Sequence, residues 1–184
     1  MIAIVHRACR CLARFVGEHR GVAATEFALL VPTMLTLFLG SVETSTGVSI
    51  QRKVTIAAHT VADLSSQYTD ITNSDMTNIL NASADIIFPY AAANLQTVVS
   101  ELSIDAQGNA TVVWSDTLNG TARTVGSPVT IPSTLAVANS YLLLGETSYN
   151  YKPSYGYVIT GTVTLSDQMY MQPRQSSSVT RSAS

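Results

Sequence analysis

Charged residues are scarce in this sequence, and its cysteines are confined to the N-terminal segment. Only 12% of the 184 residues are Asp, Glu, Lys or Arg, and the two cysteines are Cys9 and Cys11. A domain formed by the later residues has no disulfide, so packing alone has to stabilise it. A Cys-x-Cys pair without further His or Cys ligands nearby does not complete a zinc site, which takes about four ligands. We therefore expect no metal and no other cofactor.

Positive charge is also scarce beyond the N-terminal segment. Residues 1–21 hold four arginines and one glutamate, a formal charge of +3, and the whole chain has a charge of -2, which leaves -5 for the remainder. No basic patch follows Lys53, so we expect no binding to nucleic acid. The sequence has no phosphate-binding loop and no nucleophile motif, and His59 has only Asp63 one helical turn away. We therefore do not expect an enzyme.

One long apolar run is present, over residues 22–42. Glu26 is the only charged residue among these 21. A helix rises about 1.5 Å per residue, so a run of this length spans about 30 Å, the thickness of the hydrocarbon core of a bilayer. Four arginines precede the run, whereas Arg52 and Lys53 form a weaker basic flank behind it. This bias predicts a cytoplasmic N-terminus and an exported C-terminal domain.

Three interpretations of this run compete. A cleaved secretory signal would explain the basic start, but the run is long, and the "GSVETSTG" that follows it is a poor signal-peptidase site. A plain signal anchor would explain the length and the orientation. It does not explain Glu26, because an acid inside a membrane segment costs about 2.5–3.5 kcal/mol. The third interpretation is a prepilin leader followed by a membrane helix.

The stretch "RGVAATEFALLVP" supports the third interpretation. Arg20 and Gly21, four uncharged residues, then Glu26 and Phe27 resemble a type IV prepilin cleavage site. The whole stretch is similar to the TadE-like pseudopilins of the tight-adherence (Tad, Flp-type) pilus system. Their pattern is a glycine, a small residue, Glu-Phe-Ala and an early proline, which here are Gly21, Val22, Glu26, Phe27, Ala28 and Pro32. Val22 departs from this pattern, since Ala or Ser is commoner there. The resemblance implies that a prepilin peptidase cuts after Gly21 and that the mature chain begins at Val22.

The resemblance extends to the C-terminal part of the chain. "YLLLGETSYNYKP" (141–153) is similar to a late strand of that family, and "VTLSDQMYMQPRQSSSV" (163–179) is similar to its final strand. The second stretch contains the terminal Met/Val-x-Pro-Arg signature of the family, here Met171, Pro173 and Arg174. Residues 70–135 carry no family signature.

The resemblance also assigns Glu26 and Phe27 to subunit assembly. In pilins the glutamate neutralises the terminal amine of the mature chain, here Val22, within one subunit or between neighbours. An acid and an amine in a low-dielectric bundle offset the desolvation of each other. The alternative is that Glu26 lies at the headgroup boundary near a helix start, where acids are favoured. Pro32 predicts a kink or a loosening near residues 28–32, with simple tolerance of proline in a membrane helix as the alternative.

Beyond the apolar run, the pattern predicts an α+β, pilin-like head. The long helix continues through 48–67 with an apolar stripe, and a second helix follows with Ser74 as its N-cap. We expect about four antiparallel strands, near 98–105, 110–116, 141–151 and 157–166, with Gly108 in the first hairpin. In the first strand Leu102 and Ile104 alternate with Glu101, Ser103 and Asp105. The stripe of the long helix consists of Val54, Ala58, Val61 and Leu64.

These predictions combine into one functional hypothesis. Residues 1–21 form a cleaved cytoplasmic leader, 22–47 an inner-membrane helix and 48–184 a periplasmic or extracellular head. The protein is then a minor pseudopilin that initiates, caps or assembles a Tad/Flp-type pilus for surface adhesion and biofilm formation. The expected partners are a prepilin peptidase, the major Flp-type pilin, other minor pseudopilins, the Tad inner-membrane assembly platform and the lipid bilayer. The alternative is a bitopic envelope protein whose outer domain binds a ligand or a surface without polymerising.

Overall fold

The computed structural model describes residues 19–153 and 160–182, with side chains from Gly21 onward. Three features of the sequence lie outside these residues: the predicted leader up to residue 18 with Cys9 and Cys11, the start of the strand expected near 157–166, and the last two residues of the chain. The described part forms an α+β fold, as predicted. It contains one long helix, one short helix and a curled antiparallel sheet of five strands.

The long helix α1 runs from His19 to Ser66, a length of 48 residues, and continues through Pro32. Residues 21–42, the lower half of the helix, are mostly exposed. The upper half, from Glu43 onward, packs against the head. The Oγ1 atom of Thr36 donates to the carbonyl oxygen of Pro32 at 2.8 Å. This bond does not replace the one that the proline removes, because the carbonyl group left without its helical donor is that of Ala28. The kink near residues 28–32 stays a prediction.

The upper half of α1 buries the stripe that its sequence predicts. Val54, Ala58 and Val61 are fully buried, and Leu64 packs at the edge of the apolar cluster that contains Val61. The sheet approaches the helix most closely at Gly145, where a β-carbon would lie 2.7 Å from the carbonyl oxygen of Ala58. Small residues at this crossing allow the helix and the sheet to touch backbone to backbone.

The short helix α2 runs from Asn73 to Ile87 and begins at a capping box. The backbone N–H of Asp75 donates to Thr72 Oγ1 at 3.2 Å, and the N–H of Thr72 donates to Asp75 Oδ2 at 3.2 Å. This reciprocal pair satisfies two donors that a helix start leaves without partners. The N-cap is therefore Thr72, and the prediction of Ser74 is wrong. Residues Met76, Ile79, Leu80 and Ile87 form the buried side of α2.

The main sheet has five strands, β2 (Leu95–Ile104), β3 (Ala110–Leu118), β4 (Pro128–Val129), β5 (Ser140–Tyr151) and β6 (Val163–Met171). Their order in this five-stranded sheet is β4-β3-β2-β5-β6, with every neighbouring pair antiparallel. Three of the predicted strands lie within a few residues of β2, β3 and β5. The fourth lies at 163–171 instead of 157–166, because Val163 to Met171 pair with Tyr151 to Leu143 of β5. Gly108 adopts a φ of 85° in the first hairpin, as expected.

A second, two-stranded sheet closes the head. In it β7 (Thr180–Arg181) runs parallel to β1 (Asp70–Ile71), which connects the two helices. The chain thus returns, after the whole main sheet, to the point where α1 ends and α2 begins. This return brings the C-terminal signature close to the end of α1.

The two faces of the main sheet are covered differently. The helices pack on the inner face, where the side chains of Val99, Leu143 and Tyr149 lie in apolar clusters. On the outer face, residues 119–139 cover one end, and Val129, Ile131 and Leu135 pack there against Leu102 and Leu144. The other end of the outer face carries polar residues and forms an open groove.

Candidate assembly site

The residues predicted to act in assembly lie on the lower half of α1. Val22 and Glu26 are one helical turn apart and both are exposed, as is Phe27. Side chains four residues apart on a helix are neighbours on one face. If the chain is cut after Gly21, the new amine of Val22 therefore lies within one turn of the Glu26 carboxylate. The geometry permits this pair within one subunit and leaves both groups accessible to a second subunit.

Large apolar side chains surround this site on all sides of the helix. In the described part of the chain, this is the one helix long and apolar enough to cross a membrane. The exposed apolar side chains along it are Val22, Phe27, Leu29, Leu30, Met34, Leu35, Leu37, Phe38 and Val42. A soluble protein rarely exposes a patch of this size, which needs lipid or other helices around it.

The head first contacts the helix at Glu43. This residue is only 2% exposed, and its carbonyl oxygen accepts a hydrogen bond from Tyr151 Oη at 3.1 Å. The ring of Tyr151 also covers Gly47, where a β-carbon would lie 3.5 Å from the ring. Burial raises the pKa of Tyr151, and the nearby Glu43 carboxylate raises it further. The exposed part of α1 thus ends where this buried contact begins.

Arg174 of the C-terminal signature lies at the opposite end of α1 from Glu26. The backbone N–H of Arg174 donates to the carbonyl oxygen of Ser66 at 2.9 Å, and its guanidinium pairs with Asp63. The last carbonyl groups of a helix have no partners within the helix, and a cation there interacts favourably with the helix dipole. Arg174 therefore closes the end of α1 inside the head. The structure does not bring it near Glu26.

The pair of Arg174 with Asp63 should contribute little to stability. Both side chains are largely in contact with solvent, at 54% and 36% exposure, and such pairs contribute about 0.2–1 kcal/mol. Arg174→Ala and Asp63→Ala should therefore each lower the free energy of unfolding by at most about 1 kcal/mol. A double-mutant cycle measured by urea denaturation isolates the pair. A coupling energy well above 1 kcal/mol would mean that the pair is buried more deeply than the structure shows.

A second contact holds the C-terminal segment, residues 172–182, and it involves the buried acid Glu101. Glu101 is 1% exposed and accepts a hydrogen bond from the N–H of Val179 at 2.6 Å. Trp114 Nε1 donates to the carbonyl oxygen of Val179 at 2.8 Å. Burial raises the pKa of Glu101, while the hydrogen bond from the Val179 N–H and the nearby Trp114 side chain oppose the rise. Both backbone groups of Val179 are thus bound by side chains of the main sheet.

Arg181 extends this attachment to the helical side of the head. Its Nε donates to Asp116 Oδ2 at 2.8 Å, and its Nη2 donates to Asn73 Oδ1 at 2.7 Å. Thr180 Oγ1 donates to Asp70 Oδ1 at 2.7 Å, and this bond, with one from Ser182, lowers the pKa of Asp70. These roles could not be predicted from the sequence, because each partner lies at least 65 residues away along the chain. The attachment explains why a basic, polar C-terminal segment belongs to the head.

Comparison with known proteins gives a match for the long helix α1. A family model described as TadE-like protein matches residues 21–63, which run from the predicted cleavage site to the Asp63 that pairs with Arg174. No curated protein and no solved structure matches the chain. The match over residues 21–63 agrees with the resemblance to TadE-like proteins that the sequence indicated.

Proposed function

We propose that this protein is a minor pseudopilin that helps to initiate, cap or assemble a Tad/Flp-type pilus, and thereby serves surface adhesion and biofilm formation. The family match associates the chain with a pilus system. The observation that carries the more specific role is the form of α1. Its exposed apolar half holds an acid in one of its first turns, and the same helix continues without a break into a packed head.

The dimensions of α1 suit a membrane-anchored precursor. The 22 residues from Gly21 to Val42 rise about 33 Å, which matches a hydrocarbon core of about 30 Å. In the proposed topology, the leader is cytoplasmic and the head lies in the periplasm or outside the cell. The inner-membrane platform of the Tad system then receives the anchored subunit from the bilayer.

Cleavage creates the charge pair on which assembly depends in this proposal. A prepilin peptidase that cuts after Gly21 leaves the amine of Val22 at the cytoplasmic edge of the bilayer. Glu26 pairs with this amine or with that of a neighbour, such as the major Flp-type pilin or another minor pseudopilin. An acid that is expensive in lipid alone becomes less costly beside an amine, so assembled helices are favoured over a lone one. Phe27 is exposed beside Glu26 and contributes apolar contact area to the same helix interface.

Processing gives a direct test of this proposal. In cells with an active prepilin peptidase, we expect the mature protein to begin at Val22, and Gly21→Leu should leave the precursor as the dominant form. A larger side chain at the cut position blocks access of the peptide bond to the peptidase. Intact-mass measurement of the membrane-extracted protein distinguishes the two forms.

Gly17→Leu is a matched control for this test, because it makes the same change four residues upstream within the leader. It should leave processing unchanged. A mature chain that still begins at Met1, or one cut beyond Val42, would contradict the proposed leader.

Topology gives a second test. A reporter fused after Ser184 should be active only if the reporter works outside the cytoplasm, as alkaline phosphatase does, because the arginines of the leader keep the N-terminus inside. A reporter that matures only in the cytoplasm should stay silent at the same position. Replacement of Arg7, Arg10 and Arg14 by Asn should weaken this bias and give mixed orientations. Activity of the cytoplasmic reporter in the unmodified chain would end the proposal.

A further inference from the structure

The open end of the outer sheet face forms a groove of about 630 Å³, within the size range of small-molecule sites. Its floor is made by three adjacent strands, and residues 120–123 form one wall. Both helices pack on the opposite face of the sheet, and one of them, α1, is the proposed membrane anchor. The groove is therefore open to solvent in the anchored protein.

The floor of the groove consists of two rows of side chains across β2, β5 and β6. One row is Gln96, Ser148 and Ser166, and the next is Val98, Glu146 and Gln168. Side chains in register on neighbouring strands share one face, and the strands are about 4.8 Å apart. The floor thus presents amides and hydroxyls at regular intervals, with Val98 as a small apolar surface among them.

An ion pair fixes the wall to the floor. Arg123 Nε donates to Glu146 Oε2 and Arg123 Nη2 donates to Oε1, both at 2.6 Å. The backbone N–H of Arg123 donates to Ser115 Oγ at 3.0 Å, which holds the loop against β3. A bidentate pair of this kind is geometrically specific, and its carboxylate keeps lone pairs for further donors. The pair places a donor and an acceptor side by side without adding net charge.

This lining favours one class of ligand. A hydroxyl group is both donor and acceptor, so a polyhydroxylated molecule can satisfy amides, hydroxyls and the ion pair together. An apolar ligand would desolvate these groups without replacing their hydrogen bonds, which costs free energy. An anion would be repelled by the Glu146 carboxylate, and the positive charge of Arg123 is already neutralised by its pair with Glu146. A peptide that adds a strand would pair with the edge strand β6, beside the groove and not over its floor, because β2 and β5 have neighbouring strands on both sides.

We propose that this groove binds an uncharged oligosaccharide through Gln96, Glu146, Ser148 and Gln168, with Val98 against a C–H face of a sugar ring. The proposal goes beyond a role in pilus assembly and does not depend on it. It gives the exposed side of the head a chemistry for contact with a polysaccharide surface.

Binding can be measured with the full chain in phosphocholine micelles, since glycoside detergents would present competing sugars. Maltotriose, cellotriose and tri-N-acetylchitotriose are the probes, and saturation-transfer NMR followed by calorimetry measures their binding. We expect at least one to bind. Gln168→Ala should weaken that binding about three- to tenfold, the effect of one lost hydrogen bond, and Glu146→Ala should weaken it about tenfold or more. Gln107→Ala makes the same change as Gln168→Ala in the exposed β2–β3 turn and should have no effect.

Thermal unfolding of each variant separates a lost contact from a lost fold, because Arg123 and Glu146 are partly exposed and their pair adds little stability. The proposal is overturned if none of the three probes binds, or if Gln168→Ala and Glu146→Ala bind as tightly as the unmodified chain. A trimer of galacturonic acid should bind at least about tenfold more weakly than the best neutral probe. Equal or tighter binding of this acidic trimer, or of a neutral peptide of Ser, Thr and Gln, would assign the groove to another class of ligand.

Discussion

Gly145→Ala should lower the free energy of unfolding of the head by about 1–2 kcal/mol. A β-carbon at this position would lie 2.7 Å from the carbonyl oxygen of Ala58 and 3.1 Å from the β-carbon of Ala62. The first of these atoms belongs to the helix backbone, so relief of the overlap requires α1 to move away from β5. Overpacking of this kind costs about 1–3 kcal/mol. The gain from replacing a glycine within a strand is smaller, up to about 1 kcal/mol, so the overlap decides the sign.

Urea denaturation followed by the fluorescence of Trp114, the single tryptophan, measures this effect in the full chain in micelles. Gly47→Ala is the matched control, because a β-carbon there would make only an ordinary contact with the ring of Tyr151, at 3.5 Å. In a helix this change should leave stability equal or raise it by about 1 kcal/mol. Equal stability of Gly145→Ala and the unmodified head would mean that α1 and β5 are farther apart than the structure places them.

Glu26→Gln should strongly reduce pilus assembly while leaving the head folded and the protein inserted. Glu26 is exposed on the half of α1 that touches no part of the described head, so the change removes a charge without disturbing packing. Polar contacts between membrane helices contribute on average about 0.6 kcal/mol and at most about 1.7 kcal/mol. In the proposed role these contacts initiate or cap the fibre, so a loss of this size at them lowers the number of pili about three- to eighteenfold. The measurements are co-purification with the pilin partners and restoration of pili in a deletion strain.

Glu26→Asp is the conservative control, since it keeps the charge and should restore assembly at least in part. Both variants must first be shown by mass to start at Val22, because the peptidase itself can depend on the acid. If cleaved Glu26→Gln binds its partners and restores pili as well as the unmodified protein, Glu26 is an interfacial charge without a role in assembly.

The sequence predicted those parts of the fold that have a local periodic signal. The buried stripe of α1 follows the helical period over Val54, Ala58 and Val61, and Gly108 marks a turn that requires a positive φ. The α+β class follows from these elements, and so does the antiparallel order of β2 and β3 around their hairpin. The family resemblance of residues 21–63 rests on the same kind of short, local pattern.

Elsewhere the local signal was ambiguous or absent. Thr72 and Ser74 are both good caps, and Asp75 three residues after Thr72 decides between them by completing the capping box. The alternation in β2 places Glu101 on the polar side, yet the structure buries both Glu101 and Leu102. The reason is that residues 119–139 cover one face at this point and the C-terminal segment covers the other. Neither covering element is adjacent to β2 in sequence, so the sequence of the strand cannot reveal it.

The pairing of β7 with β1 also sets the order in which the head can form. The side-chain partners of Val179, Thr180, Arg181 and Ser182 in the main sheet and beside the helices lie 65 to 112 residues earlier in the chain. Contacts this distant require large loops to close and form slowly compared with local ones. In the proposed topology, these partners cannot bond to the C-terminal segment until that segment has itself been translocated. Closure of the head is therefore a late event of export, and the membrane anchor holds an incomplete domain until then.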